Sequence, residues 1–306
     1  MEEIKIFGHK NPDTDTIMSS LVLEDLENKI GINNVKAYRL GKINKETEYA
    51  LNYFKVNSPE FLEKVEEGQE VMLVDHNEFS QSVEGIEKAK ILRVVDHHKI
   101  ANFQTTEPLF YMAMPVGCTS TILYDMYKTN NLEISVAIAG LMLSAILSDT
   151  LLLKSPTCTQ KDTEVANELA KLAGVDLNEY GLNMLKAGTD LSDFTPAELI
   201  NIDSKPFTTN GIKIQVSQVN TVSIEDVLKN KEDIEIAIKE FMSENDVDSY
   251  ILMLTDIIEN NSQIIVIGKP EIAEKAFNIK LKDNMAFLPG VVSRKKQIVP
   301  QIYSVL

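Results

Sequence analysis

Short apolar runs alternate with amphipathic segments along the first hundred residues, and this alternation constrains the fold more than any other feature of the chain. The predicted strands are 3–7, 35–40, 70–74 and 91–95. Helical periodicity predicts helices at 16–30 and 45–56 between them, with Gly31 ending the first. This strand–helix–strand order is typical of a parallel sheet with helices on its faces, so the predicted class is α/β.

The pattern changes after the first hundred residues, first to helices and then to a second α/β region. The predicted helices of the middle block are 118–130, 133–148, 160–173 and 177–188. Residues 189–196 are polar and end in Pro196, so we predict an interdomain linker there. Beyond it, strands are predicted at 212–219, 248–255 and 263–267, with a helix at 224–243. The predicted domains are therefore 1–188 and a smaller one at 197–306.

Composition and charge exclude several functional classes. The chain has 306 residues with 30 Lys and Arg against 46 Asp and Glu, a net charge of −16. Such a surface repels nucleic acid, and an anionic substrate would need locally clustered cations or metal ions. Its two cysteines lie far apart and do not indicate a disulfide framework, which suits a cytoplasmic location. The apolar stretch 134–153 is interrupted by Asp149 and serines, so we predict a buried helix and no membrane span.

All four histidines lie in the first hundred residues, and they follow predicted strands. The residues after the strand ends are GHKNPDTD (8–15), DHNE (75–78) and DHH (96–98). Ligands gather at the carboxyl ends of the strands in an open parallel sheet, so these three segments are predicted to converge. Asp149 ends an apolar run, where an acid is costly unless it is paired or bound to a metal.

The converging residues form a mixed carboxylate and imidazole set. The candidate metal ligands are His9, Asp13, Asp15, Asp75, His97 and Asp149. Such a set suits Mn²⁺ or Co²⁺, with Zn²⁺ or Fe²⁺ as alternatives, better than Mg²⁺ or Ca²⁺. Six ligands are too many for one ion with an open position and suit two ions sharing a carboxylate. A single histidine or aspartate at a strand end is usually just hydrogen-bonded or solvated. His76 taken alone gives no reason to prefer a functional role over that interpretation.

Other motifs are absent or weaker. The sequence contains no phosphate-binding GxxxxGK[ST] loop, no GxGxxG, no HExxH and no GxSxG. Residues 293–296, SRKK, place three consecutive cations in an acidic chain, which indicates either an anion clamp or a solvated basic turn. Lys205, in DSKPF, is a weaker signal for anion binding.

Taken together, these motifs resemble a known family. GHKNPDTD, VDHNE, VDHH and LSDTLLLKSPT look like the four motifs of the DHH phosphoesterase superfamily, and most closely those of its family II, manganese-dependent inorganic pyrophosphatases. SRKKQ looks like their C-terminal signature. The resemblance implies hydrolysis of pyrophosphate to two orthophosphates by a hydroxide bridged between two metals. It also implies two Mn²⁺ (or Co²⁺) per subunit, further Mg²⁺ or Mn²⁺ arriving with pyrophosphate, and a homodimer formed through the first domain.

The resemblance also implies a role for each residue. His9 and Asp13 would hold one metal, Asp15, His97 and Asp149 the other, and Asp75 both. The residues implied to face substrate are His98, Lys205, Arg294 and Lys295, so that a cationic clamp from the second domain closes over pyrophosphate. Adjacent side chains of an extended segment point to opposite sides, so we expect His97 to bind metal and His98 to serve the substrate as a proton donor. Asp96 and His76 are expected to orient neighbouring residues.

Two other functions remain open at this stage. One is a DHH-type exonuclease or cyclic-dinucleotide phosphodiesterase, which the absence of Trp and the net charge of −16 disfavour. The other is a metal-dependent binding module without turnover, which a separate cationic clamp disfavours. Phosphate release distinguishes these alternatives from a pyrophosphatase.

Overall fold

The computed structural model of the chain describes residues 3–191 and 193–306. The chain forms two compact units, residues 1–188 and 189–306. Ser192, in the predicted linker, lies outside the described residues. Pro196, the last residue of the predicted linker, is the first residue of a helix. Thr195 caps that helix reciprocally with Glu198, and proline suits a first helical position since no donor is needed there.

The first unit is built on a six-stranded sheet. Its strands are β1 (Ile4–Phe7), β2 (Val35–Arg39), β3 (Glu60–Phe61), β4 (Glu70–Val74), β5 (Lys90–Asp96) and β6 (Phe110–Ala113). All neighbouring pairs are parallel, in the order β3-β2-β1-β4-β5-β6. The predicted strands are all present. The sequence analysis missed β3 and β6, which are short strands at the two edges, where less of an apolar pattern is needed.

Six α-helices lie in the described part of the first unit. They are α1 (Thr14–Lys29), α2 (Lys45–Phe54), α3 (Thr119–Thr129), α4 (Val136–Asp149), α5 (Gln160–Ala173) and α6 (Leu177–Gly188). The residues 138–147 of α4 are all buried, as predicted for the apolar stretch, and this helix packs on α1 and α5. Among the residues described, none of the helices combines the length and apolar character that crossing a membrane requires.

Asp162 connects α5 to the loop that precedes α3. This buried carboxylate accepts hydrogen bonds from the amide of Gly117 at 2.8 Å, the hydroxyl of Thr121 at 2.6 Å, and the amide and hydroxyl of Thr159 at 2.8 and 2.6 Å. In return, the amide of Asp162 donates to the hydroxyl of Thr159 at 3.3 Å, which completes a capping box at the start of α5. One side chain therefore fixes both the helix start and the loop.

Replacing Asp162 by alanine is expected to lower the free energy of unfolding by about 3 kcal/mol, because several buried donors lose a charged acceptor. Urea denaturation of the metal-free protein followed by circular dichroism measures this change. Gln160→Ala, at an exposed position of the same helix, is the control and should leave stability within about 0.5 kcal/mol of the parent. Equal stability of the two variants would contradict the structural role of Asp162.

The second unit contains a mixed five-stranded sheet. Its strands are β7 (Ser204–Thr209), β8 (Ile212–Thr221), β9 (Ser249–Asp256), β10 (Asn261–Ile267) and β11 (Met285–Pro289). Their order is β11-β10-β9-β8-β7, and β8 and β9 are the parallel pair. The sequence analysis missed β11, and it also missed β7 although Asn210-Gly211 is a strong hairpin signal. Both residues have positive φ, 49° and 77°, as a tight turn of this kind requires.

The helices of the second unit depart from prediction, because only one helix, at 224–243, was predicted there and the others were missed. They are α7 (Pro196–Leu199), α8 (Ile224–Leu228), α9 (Lys231–Asn245), α10 (Pro270–Phe277) and α11 (Val299–Val305). The helix predicted at 224–243 is two helices. The amide of Asn230 donates to the carbonyl of Val227 at 3.2 Å, a tightened turn that ends α8 before α9 begins.

Candidate metal centre

The candidate site lies at the carboxyl edge of the parallel sheet. His9, Asp75 and His97 follow the ends of β1, β4 and β5, which are neighbours in the sheet. The backbone of Asp75 has a φ of 58°, so the chain turns sharply at the edge instead of continuing β4. The convergence expected from the sequence is therefore present, because the strands run in the same direction.

Two helices bring the remaining acids to this edge. Asp13 is the N-cap of α1, and its carboxylate accepts from the amide of Thr16 at 3.0 Å. Asp15 lies in the first turn of α1 and is fully buried, whereas Asp149 is the last residue of α4. One helix start and one helix end therefore supply three of the carboxylates.

The backbone after Asp149 is strained. Leu151, Leu152 and Leu153 have φ values of 46°, 55° and 64°, a left-handed run that costs roughly 1–2 kcal/mol per residue. The amide of Leu152 donates to the carbonyl of Leu147 at 2.9 Å, which closes the end of α4. Strain of this kind is maintained only where the surroundings impose it and is concentrated at functional sites. Here it redirects the chain directly after a candidate ligand.

The candidate ligands form compact groups whose ligand atoms all lie within 4.8 Å of one another. The groups are His9/Asp13/Asp75, Asp15/Asp75/His97/Asp149 and Asp75/His97/His98. The first two contain all six residues predicted as ligands, and Asp75 belongs to every group. No other group of this kind occurs among residues 3–191 and 193–306.

The two carboxylate oxygens of Asp75 face different imidazoles. Its Oδ2 lies 3.4 Å from Nε2 of His9, and its Oδ1 lies 3.4 Å from Nε2 of His97. His9 is also 3.3 Å from Asp13, and His97 is 3.7 Å from Asp149. Asp75 is thus placed between the first two groups with one oxygen toward each.

Hydroxyl and amide donors hold the buried carboxylates, and the sequence analysis missed these residues. Thr16 donates to Oδ2 of Asp75 at 2.5 Å, and Thr119 donates to Oδ1 at 3.2 Å. Asp15 accepts from the Thr119 amide at 2.7 Å and the Ser19 hydroxyl at 2.6 Å. A serine one helical turn after an acid, as Ser19 is after Asp15, is a local signal, but it is common in helices without function, and no local signal links Thr16 or Thr119 to its acid.

The adjacent histidines do not point to opposite sides as expected. Their ring centroids are 4.2 Å apart, and Nδ1 of His98 lies 3.6 Å from the Asp75 oxygen that also faces His97. The expectation fails because β5 ends at Asp96, so the pair is no longer in an extended strand. Their hydrogen bonds still differ. Nδ1 of His97 bonds the carbonyl of Val116 at 3.1 Å, whereas Nδ1 of His98 bonds the carboxylate of Asp96 at 3.0 Å.

Asp96 and His76 have different surroundings. Asp96 is fully buried, accepts from Nδ2 of Asn77 at 2.6 Å, and holds both the amide and the ring of His98. His76 is also buried, and its ring nitrogens bond the carbonyl of Val74 at 2.9 Å and the hydroxyl of Ser82 at 3.1 Å. Asp96 therefore orients a site residue, while His76 fixes the loop after β4.

The electrostatics of the imidazoles follow from the surrounding carboxylates. Burial favours neutral His9, but hydrogen bonds and charge from Asp13 and Asp75 outweigh it and raise its pKa to about 10. For His97, burial is likewise outweighed by Asp75 and Asp15, and the pKa rises to about 9. Both imidazoles therefore carry protons at neutral pH while no other cation is present.

The acids of the site repel one another. Burial and the charge of Asp75 raise the pKa of Asp15 to about 6. Burial and the charge of Asp15 raise the pKa of Asp149 well above its usual value. Burial opposes ionisation of Asp75, but bonds from His9 and His97 hold its pKa well below the usual range. A site with this excess of negative charge attracts cations.

A cavity of about 160 Å³ adjoins the cluster. It is lined by His9, Asp75, His76, Asn77, Glu78, Gln81, His98 and Lys99. The side chain of His98 is 52% exposed, compared with 15% for His97. Of His97 and His98, His98 is thus the one that a molecule in the cavity can reach.

The basic residues predicted to bind substrate lie in the second unit. Lys205, in β7, and Lys295 are exposed, whereas the side chain of Arg294 is only 12% exposed. Arg294 donates to the carbonyl of Asp203 and to its carboxylate at 2.9 Å. The side chain of Gln218 accepts from the Arg294 amide at 3.2 Å and thereby fixes the start of this segment. The sequence analysis did not anticipate that an acid holds Arg294.

A parallel sheet whose carboxyl edge gathers carboxylates and imidazoles is the arrangement of a DHH-type protein. The family models agree, since that of the DHH family N-terminal domain matches residues 3–146 and that of the DHHA2 domain matches residues 182–305. The manganese-dependent inorganic pyrophosphatase of Bacillus subtilis is 56% identical over 302 residues, 98% of this chain and 97% of the relative. The chain belongs to the family of manganese-dependent, or family II, inorganic pyrophosphatases.

Solved structures agree with this assignment. A crystal structure from Methanococcus jannaschii assigned to the family II inorganic pyrophosphatases is 40% identical, covers 98% of this chain and 99% of its own, and has a TM-score of 0.63. An exopolyphosphatase-related protein from Bacteroides fragilis, 14% identical with a TM-score of 0.53, shares the fold. The resemblance and the α/β fold class predicted from the sequence are both confirmed.

Proposed function

We propose that this chain hydrolyses inorganic pyrophosphate to two orthophosphates and depends on manganese. The observation that carries the proposal is the position of Asp75, whose two oxygens face two groups of candidate ligands. The relative from Bacillus subtilis, 56% identical, is named for the same activity and the same metal. Together these support a reaction at a pair of divalent ions.

The donor chemistry fits manganese. Imidazole nitrogens lie 3.3–3.7 Å from the carboxylate oxygens. The protons on the imidazoles balance only part of the negative charge of these acids. Such a mixed set suits Mn²⁺ or Co²⁺ better than an ion that prefers oxygen alone. We propose that His9, Asp13 and Asp75 hold one ion, and that Asp75, Asp15, His97 and Asp149 hold the other.

When bound, such ions would supply Lewis acidity that lowers the pKa of water and neutralises phosphate oxygens. The residues of the chain then position the substrate and move protons. Asp96 holds Nδ1 of His98, and this bond raises the pKa of His98 against the effect of burial. The exposed imidazolium of His98 is proposed to donate a proton to the departing phosphate.

Cations of the second unit complete the proposal. Arg294 is suited to bidentate phosphate binding, while Lys205 and Lys295 act as point charges. Closure of this clamp over pyrophosphate, arrival of further Mg²⁺ or Mn²⁺ with the substrate, a homodimer formed through the first domain and a cytoplasmic location stay predictions. So does the absence of nucleic acid and membrane partners.

Because the imidazoles are protonated in the absence of metal, we expect the affinity for manganese to rise with pH. His9 and His97 have pKa values of about 10 and about 9, so both are protonated at neutral pH without metal. Metal binding requires neutral imidazole, so protons leave as Mn²⁺ binds, and acid weakens binding. Calorimetry in buffers of different ionisation enthalpy measures the release. Binding without proton release, or with affinity unchanged from mildly acidic to mildly alkaline pH, would contradict the assigned ligands.

Phosphate release tests the function itself. Protein stripped of metal and reloaded with Mn²⁺, Co²⁺ or Mg²⁺ is given pyrophosphate, ATP or a short oligonucleotide. We expect rapid phosphate release from pyrophosphate with Mn²⁺ or Co²⁺, and little turnover of the other two substrates. Preferential cleavage of the oligonucleotide would support the phosphodiesterase alternative. Tight Mn²⁺ binding without turnover of any substrate would support the binding module.

A further inference from the structure

Glu46 is a partly buried carboxylate near the site that the proposed reaction does not use. It lies in the first turn of α2, outside the strand-end motifs. Its Oε1 accepts a hydrogen bond from the hydroxyl of Thr14 at 2.6 Å and another from the hydroxyl of Ser148. A single oxygen therefore joins α1 and α4 through α2.

The two donors are placed next to candidate ligands. Thr14 lies between Asp13 and Asp15 at the start of α1, and Ser148 directly precedes Asp149 at the end of α4. Each hydroxyl thus belongs to a residue next to a candidate ligand in the chain. Asp15 and Asp149 themselves lie 134 positions apart in sequence (149 − 15). Fixing these hydroxyls on one acceptor fixes the separation of the two ligand-bearing segments.

The site needs such a restraint because its acids repel. Asp15, Asp75 and Asp149 offer oxygens within 4.8 Å of one another, so like charges push the end of α4 away from α1. Thr14 has a second neighbour, the Thr47 hydroxyl at 3.1 Å, in the same turn of α2. The bond from Ser148 to Glu46 therefore directly opposes separation of Asp149 from Asp15.

Gly188 shows that the carboxylate is enclosed from its other side. A Cβ at Gly188 would lie 2.9 Å from Cβ of Glu46 and 3.0 Å from its Oε2. These are closer than ordinary van der Waals contacts, so the glycine that ends α6 leaves just the room that this side chain occupies. The position of Glu46 is thus determined by packing as well as by its hydrogen bonds.

We propose that Glu46 is a positioning residue that sets the distance between Asp13 and Asp15 on α1 and Asp149 on α4, so that these acids can bind a divalent ion together. It acts as a hydrogen-bond acceptor shared by Thr14 and Ser148, and does not itself bind the metal. This inference rests on the proposed metal site. A glutamine at this position keeps a carbonyl oxygen as acceptor, whereas an alanine does not.

The test compares Mn²⁺ binding to Glu46→Ala and Glu46→Gln, with affinity measured from the electron paramagnetic resonance signal of free Mn²⁺. We expect Glu46→Ala to weaken binding by about 10- to 100-fold, as loss of a group that orients ligands usually does. Glu46→Gln should stay within about 3-fold of the parent, because the shared acceptor remains. Glu48→Ala, at an exposed position of the same helix turn, is the matched control and should bind as the parent does.

A double-mutant cycle tests the route of the effect. Ser148→Ala removes one donor, and it should weaken Mn²⁺ binding by about 10-fold. Combined with Glu46→Ala, it should add little further loss, because both changes break the same bond. If circular dichroism shows that Glu46→Ala does not fold, the proposal is tested by comparing Mn²⁺ binding of Ser148→Ala with that of Glu46→Gln.

Parent-like Mn²⁺ binding by Glu46→Ala or Ser148→Ala, an equal loss in Glu46→Gln, or additive losses in the cycle would overturn the proposal. Failure of the proposed function is distinguishable, because the parent protein would then bind no Mn²⁺ or release no phosphate from pyrophosphate. The role of Glu46 alone fails when the parent does both and the variants match it.

Discussion

Asp75→Asn is expected to lower pyrophosphate hydrolysis by more than about 100-fold and to remove at least part of the bound Mn²⁺. Loss of groups that merely orient ligands costs about 10–100-fold, and Asp75 is the residue common to all the ligand groups. Asparagine keeps one oxygen but replaces the other with an NH₂ group, which cannot bind a cation. One of the two imidazoles that face Asp75 then loses one of its two carboxylate partners.

Metal content by elemental analysis and phosphate release measure the two effects in the same preparation. Asp125→Asn is the matched control, since it removes an acid of the first unit that pairs with Lys161 near the surface. Such pairs contribute little, so metal content and activity should stay at parent levels. An Asp75→Asn protein that keeps its full Mn²⁺ content and activity would exclude the bridging role.

His98→Gln is expected to lower kcat by about 10²- to 10⁴-fold while Mn²⁺ content stays near the parent value. Glutamine can bond Asp96 but cannot carry a proton to the departing phosphate. The prediction depends on exposure, because the His98 side chain is 52% exposed beside the cavity. It also depends on the bond to Asp96, which fixes the ring by its Nδ1 atom.

His97→Gln is the comparison that makes this prediction sharp. His97 is 15% exposed and its Nδ1 bonds the Val116 carbonyl, which directs Nε2 toward Asp75 and Asp149. We expect this variant to lose Mn²⁺ as well as activity. Because Nδ1 of His98 also lies 3.6 Å from Asp75, equal metal loss in the two variants would show that both histidines are ligands.

The sequence predicted the site through the ends of its strands. His9, Asp75 and His97 were identifiable because each follows an apolar run, and parallel strands bring such positions to the same edge. Asp149 was identifiable because an acid at the end of an apolar helix is rare without a partner. Thr16, Thr119 and Glu46 were missed, since hydroxyls and acids in polar helix turns are common and their local sequence does not indicate a partner far along the chain.

The errors of the sequence analysis share one cause, because a local sequence pattern does not show where a strand or helix ends. Alternation predicted that His97 and His98 would point apart, but the strand ends at Asp96 and both rings lie beside Asp75. One continuous helix was predicted at 224–243, but a tightened turn at Asn230 divides it. In each case, the pattern predicted the correct periodicity within the strand or helix. The end of that strand or helix is set by hydrogen bonds, which the pattern does not show.

The sequence by itself determined most of the strands and helices of the first unit, which residues follow their ends, and which family the chain resembles. These properties are local, because they depend on side-chain periodicity and on the identity of neighbouring residues. Only the tertiary structure decided that Asp75 faces two imidazoles with separate oxygens, that Asp203 holds Arg294, and that Glu46 joins two helices that carry candidate ligands. Those relations are distances between groups far apart in the chain, and the packing of helices on the sheets sets them.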